Sequence, residues 1–186
     1  MNRKIIIVAV MLLAAAGITT ASSFTTATLS RDTSINVVSD SNGVIALIDG
    51  NSGSMVSQKS NGELTIDFAA GSGSGVNVDS TYELGDPNDP SQRAFNITNQ
   101  DGVSHQIELN YTVSSSDGVG DGTSNVEIQV FDASGTNVAT EDEDSGTATF
   151  TATGGETFAV IVVVDTTNVG VTDSSDLSGT LAISAT

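Results

Sequence analysis

Two asparagine sequons, one histidine and three groups of loop carboxylates are the residue sets whose type and spacing could do chemistry in this chain. The sequons are Asn96-Ile97-Thr98 and Asn110-Tyr111-Thr112, each an acceptor pattern for an asparagine-linked glycan. With Phe95 and Ile97 turned inward, Asn96 is expected to face solvent, and with Leu109 and Tyr111 inward so is Asn110. His105 is the sole histidine and there is no cysteine, so a nucleophilic triad or a soft metal site has almost nothing to be built from. Ser104 stands next to His105 in sequence and not in a strained turn. His105-Gln106-Ile107-Glu108 also lacks the second histidine of a zinc-protease helix, so His105 reads as a plain strand-end residue and no enzyme is expected.

Hard cations such as Ca2+ take about 6 to 8 oxygen ligands, which loop carboxylates can supply. Asp86 and Asp89 share one loop, Asp117 and Asp121 another, and Glu141-Asp142-Glu143-Asp144 a third. None has the ordered acidic spacing, central Gly and terminal Glu of a calcium loop. A solvated acidic surface suited to salt is therefore the preferred reading, with Ca2+ the weaker one and no other cofactor expected.

Period-two alternation bounded by Gly, Ser, Asn and Asp recurs through the chain after its first residues, and no helical apolar spacing does. Leu64, Ile66 and Phe68 alternate with Glu63, Thr65 and Asp67. Phe95 and Ile97, Ile107 to Val113, Val126 to Val130 and Leu181 to Ala185 repeat the pattern. Further strands are expected at Ser34 to Val38, Val44 to Asp49, Val76 to Leu84, Ala148 to Thr151 and Thr157 to Asp165. About ten strands with short polar connections predict an antiparallel β-sandwich of jelly-roll type. Phe158 to Val164 is apolar without alternation, which predicts a central strand covered on both faces.

The 186 residues carry 23 Asp and Glu against five Lys and Arg, a formal charge of −18. Arg3 and Lys4 precede the apolar run Ile5 to Gly17, and Thr19 to Ser23 supplies small residues, which together read as a secretory signal over 1–23. Its removal leaves one domain, 24–186, with Arg31, Lys59 and Arg93 as its only cations and a formal charge of about −20. A retained anchor is the alternative. Such a charge disfavours binding to nucleic acid and to anionic membranes, and near 1 M salt, where the Debye length is about 3 Å, its self-repulsion is screened. The expected location is the extracellular surface, in brine.

Several segments carry a resemblance: Thr28-Leu29-Ser30-Arg31-Asp32, Ile35 to Asp40, Val44 to Leu47, Gly155 to Val160, Val164-Asp165-Thr166 and Ser178 to Ala185. Together they resemble a family of secreted haloarchaeal proteins and, more distantly, the jelly-roll subunits of TasA and camelysin type that build extracellular fibres and biofilm matrix. Some members of that wider group are metallopeptidases, but this chain has no recognisable zinc-ligand set, so that activity is not carried over. The resemblance implies assembly in which an N-terminal strand of one subunit completes the sheet of the next. The matching segment is Phe24 to Val38, where Leu29, Ile35 and Val37 share one side when extended; the same segment could equally pair with its own sheet. The resulting expectation is a secreted structural or matrix protein that associates with itself or with other cell-surface proteins. The alternative is a monomeric binding or adhesion module whose polar loops hold ions or a ligand.

Overall fold

Eleven strands and two short 3-10 turns make up the regular structure of the computed structural model, which describes residues 39–70, 75–114, 124–167, 171, 172 and 174–186. All of these lie within the compact unit Val37–Thr186. The leader 1–23, the strand expected at Ser34 to Val38, and the assembly residues Leu29, Ile35 and Val37 lie outside the described residues.

The strands are β1 (Ile45–Asp49), β2 (Val56–Gln58), β3 (Leu64–Ile66), β4 (Thr81–Leu84), β5 (Phe95–Asn99) and β6 (His105–Val113), then β7 (Val126–Phe131), β8 (Asn137–Asp142), β9 (Ala148–Ala152), β10 (Thr157–Asp165) and β11 (Gly179–Ala185). The larger sheet runs β1-β5-β10-β7-β8, with β4 also on β10; the smaller runs β11-β6-β9; β2 and β3 form a separate hairpin. Every pairing is antiparallel. From β5 to β11 the chain changes sheet at every step except β7 to β8, so the core closes only when distant segments meet.

β10 is the central strand its unbroken apolar run predicts. One edge pairs with β5 over Thr157 to Val160 and with β4 over Val162 to Asp165, while the other pairs with β7. Phe158, Val160 and Val162 face inward with Phe95, Ile97, Ile128 and Val130, and meet Ile107, Leu109 and Phe150 of the smaller sheet. Phe150 and Phe158 stack tilted across the sandwich, their ring centroids 4.6 Å apart.

The opposite side of β10 is also covered. Ile161 is 0 % exposed although it points away from the main core, and in register with it lie Gln129 and, two residues back, Ala159 beside Phe131. The cover is the loop from Gly85 to Ala94: a Cβ at Gly85 would stand 2.5 Å from Cδ1 of Ile161, and Pro90 reaches Gly135 of the β7–β8 turn. The loop is closed by a bridge between Gly85 and Arg93 and by Asp86 N–H donating to Gln92 O at 2.8 Å. Gly85 has φ +99°, a conformation that favours glycine, and it has no room for a side chain.

Two strands were not legible as such: β2 is only three residues long, and β8 falls in a polar, acidic stretch. The strand expected from Val76 to Leu84 is shorter, Thr81–Leu84, because Asp79, at φ +56°, turns the chain just before it. At one end of the sandwich, fully buried Asn99 ties the turns together. Its Nδ2 donates to Val103 O and Ala152 O, and its Oδ1 accepts the Asp101 N–H.

Candidate functional site

The loop carboxylates of Asp86 and Asp89 accept hydrogen bonds from within their own loop. Asp86 Oδ1 accepts the Asn88 N–H at 2.8 Å, and Asp89 Oδ1 accepts both the N–H and the hydroxyl of Ser91, the latter at 2.6 Å, while its Oδ2 takes Gln92 Nε2. The Ser91 hydroxyl, with Gln92 and the Ser91 N–H behind it, holds the Asp89 carboxyl below the usual carboxylate range. These are turn-forming contacts that stiffen the loop over Ile161. Asp117 and Asp121 lie outside the described residues, and among the described residues no group of three or more His, Asp or Glu side chains converges as a metal would need.

Only half of the acidic run lies in a loop: Glu141 and Asp142 end β8, and Glu143 and Asp144 lie in the connection that follows. Glu141 lies in β8, in register with Ile128 and facing inward, and is 0 % exposed. Its Oε1 accepts the N–H of Tyr111 at 2.8 Å, and its Oε2 accepts the N–H of Ala148 at 2.9 Å and the Ser145 hydroxyl at 3.3 Å. The physical reason is a ladder that ends early. β9 begins at Ala148, opposite Leu109, so the Tyr111 N–H beyond it has no strand to bond, and the carboxylate replaces the missing carbonyl. Glu143 does the same for the N–H groups of Asn125 and Val126.

Asn96 is the second correction. It is 9 % exposed, not solvent-facing. Alternation does turn it away from the core, but it lies in an inner strand with Ile48 on one side and Ala159 on the other, on the same covered face as Ile161. Asn110 stands on the open face of the smaller sheet, beside Ala182 of β11. The two sequons therefore lie on different sheets. His105 opens β6, and its Nε2 is 2.8 Å from Asp101 Oδ2 in the preceding turn. That contact, reinforced by the Gly102 N–H, draws the Asp101 carboxyl below its usual range.

A cleft of about 690 Å³ with an apolar floor lies between the β2–β3 hairpin and β11. Its floor is the inner face of the larger sheet, with Phe95, Ile128, Val162 and Val164. One wall is β3, through Leu64 and Ile66, with Phe68 just beyond it; the other is β11, through Leu181 and Ile183. Among the described residues β3 pairs only with β2 and β11 only with β6, so each wall presents an edge that no second strand covers, the Leu64 N–H of the β3 edge being taken by the Asp40 carboxylate. Thr65 Oγ1 on the β3 wall is buried without a hydrogen-bond partner. On the far side Tyr111 donates its hydroxyl to Leu177 O at 2.7 Å, and its ring is packed so closely on Gly179 that a Cβ there would stand 2.7 Å from Cζ. Burial, with the nearby charges of Glu143 and Asp176, pushes the Tyr111 phenol up to about 12.

Sequence reasoning missed the cleft because a gap between two strands is a property of pairing, and pairing is not written in either strand alone. The one signal was the weak apolar alternation of Leu64 to Phe68 and Leu181 to Ala185, which left both strands with a buried and an open side. The chain matches no known protein-family model and no curated protein sequence.

Proposed function

We propose that this is an exported, acidic cell-surface structural protein whose subunits join by adding a strand into the cleft between β3 and β11. The observation that carries the reading is the cleft itself: an apolar floor between two strand edges that no other described strand pairs. An inserted strand would gain main-chain hydrogen bonds along one or both walls and bury its alternate side chains on Phe95, Val162 and Val164. The donor would be the segment Phe24 to Val38, with Leu29, Ile35 and Val37 directed to the floor. The first described turn is fastened to the β3 wall by Asp40, whose N–H donates to Gly62 O at 3.0 Å and whose Oδ2 accepts the Leu64 N–H at 2.7 Å. The sequence that would serve as donor directly precedes this anchor. The formal charge of −18 supports assembly in concentrated salt, where subunits of like sign can approach.

Sedimentation and electron microscopy of the chain from Phe24 onward, in molar salt, test the reading. Filaments and a sedimentation coefficient that rises with concentration are expected, and deletion of Phe24 to Ser34 should leave folded monomers. A peptide of that sequence should bind the deletion variant without restoring filaments. A full-length mature protein that stays monomeric at every concentration would overturn strand exchange and favour a monomeric binding module that uses the same cleft.

A further inference from the structure

The two sequons differ in the one property that a modifying enzyme and its product both need, which is space at the asparagine. Asn110 lies on β6, the middle strand of the smaller sheet, with Leu109 fully buried beneath it. The surface it shares is polar or small throughout: Gln106, Glu108 and Thr112 on its own strand, Ala182 and Ser184 on β11. Its side chain is half-buried, and among the described residues Nδ2 makes one long contact, 3.3 Å to Gly146 O, at an exposed position. Thr112, two residues on and therefore on the same face, is exposed and donates its hydroxyl to Asn110 Oδ1 at 3.1 Å. The amide oxygen is thus oriented and the amide nitrogen is left at the surface. At Asn96 the sequon partner Thr98 instead shares its hydroxyl with Thr157 of β10 at 3.0 Å, and the asparagine is enclosed between Ile48 and Ala159.

We propose that Asn110 is a site of asparagine-linked glycosylation and that Asn96 is not. The proposal rests on export of the chain, since the modifying enzymes act across the membrane. The Asn110 Nδ2 attacks the anomeric carbon of a lipid-linked sugar phosphate. A carbon–nitrogen bond forms, the anomeric carbon–oxygen bond breaks, the lipid phosphate leaves with the electron pair, and the amide gives up one proton to a base of the transferase. A glycan at Asn110 projects from the polar face of the smaller sheet. It leaves the β11 edge and the cleft free, and it keeps two such faces from stacking.

The test has two arms. In the first, the chain is exported with its own leader from a cell whose route carries an asparagine-linked transferase, and the product is mapped by glycopeptide mass spectrometry. The expected result is added sugar mass on the peptide holding Asn110, lost in Asn110→Gln and in Thr112→Ala, and kept in Asn96→Gln. Thr112→Ala retains the asparagine, so a loss there is not a folding failure when its circular dichroism matches the parent. Exported protein with Asn110 bare, or with sugar on Asn96 alone, overturns the proposal. The second arm offers purified folded protein to an isolated transferase with a lipid-linked oligosaccharide, which does not depend on export. Occupancy at Asn110 at least tenfold above Asn96 is expected, and equal or absent modification overturns the site even where export succeeds. Retention of the chain in the cytoplasm, by contrast, overturns the export reading.

Discussion

The two outward faces of this sandwich obey the same period-two rule and end in opposite environments. On the smaller sheet the outward residues of β6, among them Glu108, Asn110 and Thr112, meet water. On the larger sheet the outward residues Ile161 and Phe131 are as buried as the core, and the loop from Gly85 to Ala94 lies over Ile161. Alternation assigns a side chain to a face, but it does not say whether that face is wet. The loop that decides the matter is itself acidic and carries both prolines, and Asp86 and Asp89 turn their carboxylates back onto its own N–H groups.

The sharpest way to break this comparison is one substitution made on each face. Ile161→Asp should abolish folding, since an unpaired carboxylate buried there costs several kcal/mol against a domain stability of about 5 to 15 kcal/mol. Ala182→Asp, on the open face, should change stability by no more than about 0.5 kcal/mol. Circular dichroism melts in molar salt rank them, and similar melting temperatures would mean that the loop does not seal the larger sheet.

The acidic residues allow a second contrast, between a carboxylate that completes a ladder and those that only carry charge. Glu141→Ala leaves the half-buried N–H groups of Tyr111 and Ala148 without their acceptor, at about 1 to 3 kcal/mol each. Urea unfolding should show a fall of about 2 to 6 kcal/mol with an unchanged slope. Glu141→Gln, which keeps one acceptor oxygen, should lose less. If Glu141→Ala were as mild as a surface substitution, the carboxylate would not be closing the gap left by β9.

Alkali probes the wall of the cleft. The folded Tyr111 phenol titrates at about 12 and the unfolded one near 10, so the folded state holds that proton more tightly. Its contribution is intact below pH 10 and is lost as pH rises from about 10 to about 12. Tyr111→Phe should flatten that part of the stability curve while costing about 1 kcal/mol at neutral pH through the lost bond to Leu177 O.

The smallest effect is expected in the covering loop. Asp89 is held below the usual carboxylate range by Ser91 first of all, so its turn contacts contribute above the unfolded value of about 3.9 and fade as pH falls through the lower folded one. Amide exchange at Ser91 and Gln92 should therefore quicken only in stronger acid than free aspartate titration would suggest, and Asp89→Ala should show the faster rate already at neutral pH.

Local pattern by itself determined the all-β class, the central place of β10 and the inward residues of β5, β6 and β7, because alternation and unbroken apolar runs follow from how a strand presents its side chains. It also determined the charge, and with it the conditions under which such subunits can meet. Only the tertiary structure decided that Asn96 is shut in while Asn110 is open, that Glu141 belongs to a strand and not to a cation loop, and that β3 and β11 face each other across a gap that no described strand fills. Each of these depends on which distant segments lie side by side. The carboxylate of Glu141 is useful only where β9 stops two residues short, and Asn96 is hidden because β1 and β10 flank it. Burial and pairing of this kind are relations between segments, and no single segment carries them in its own sequence.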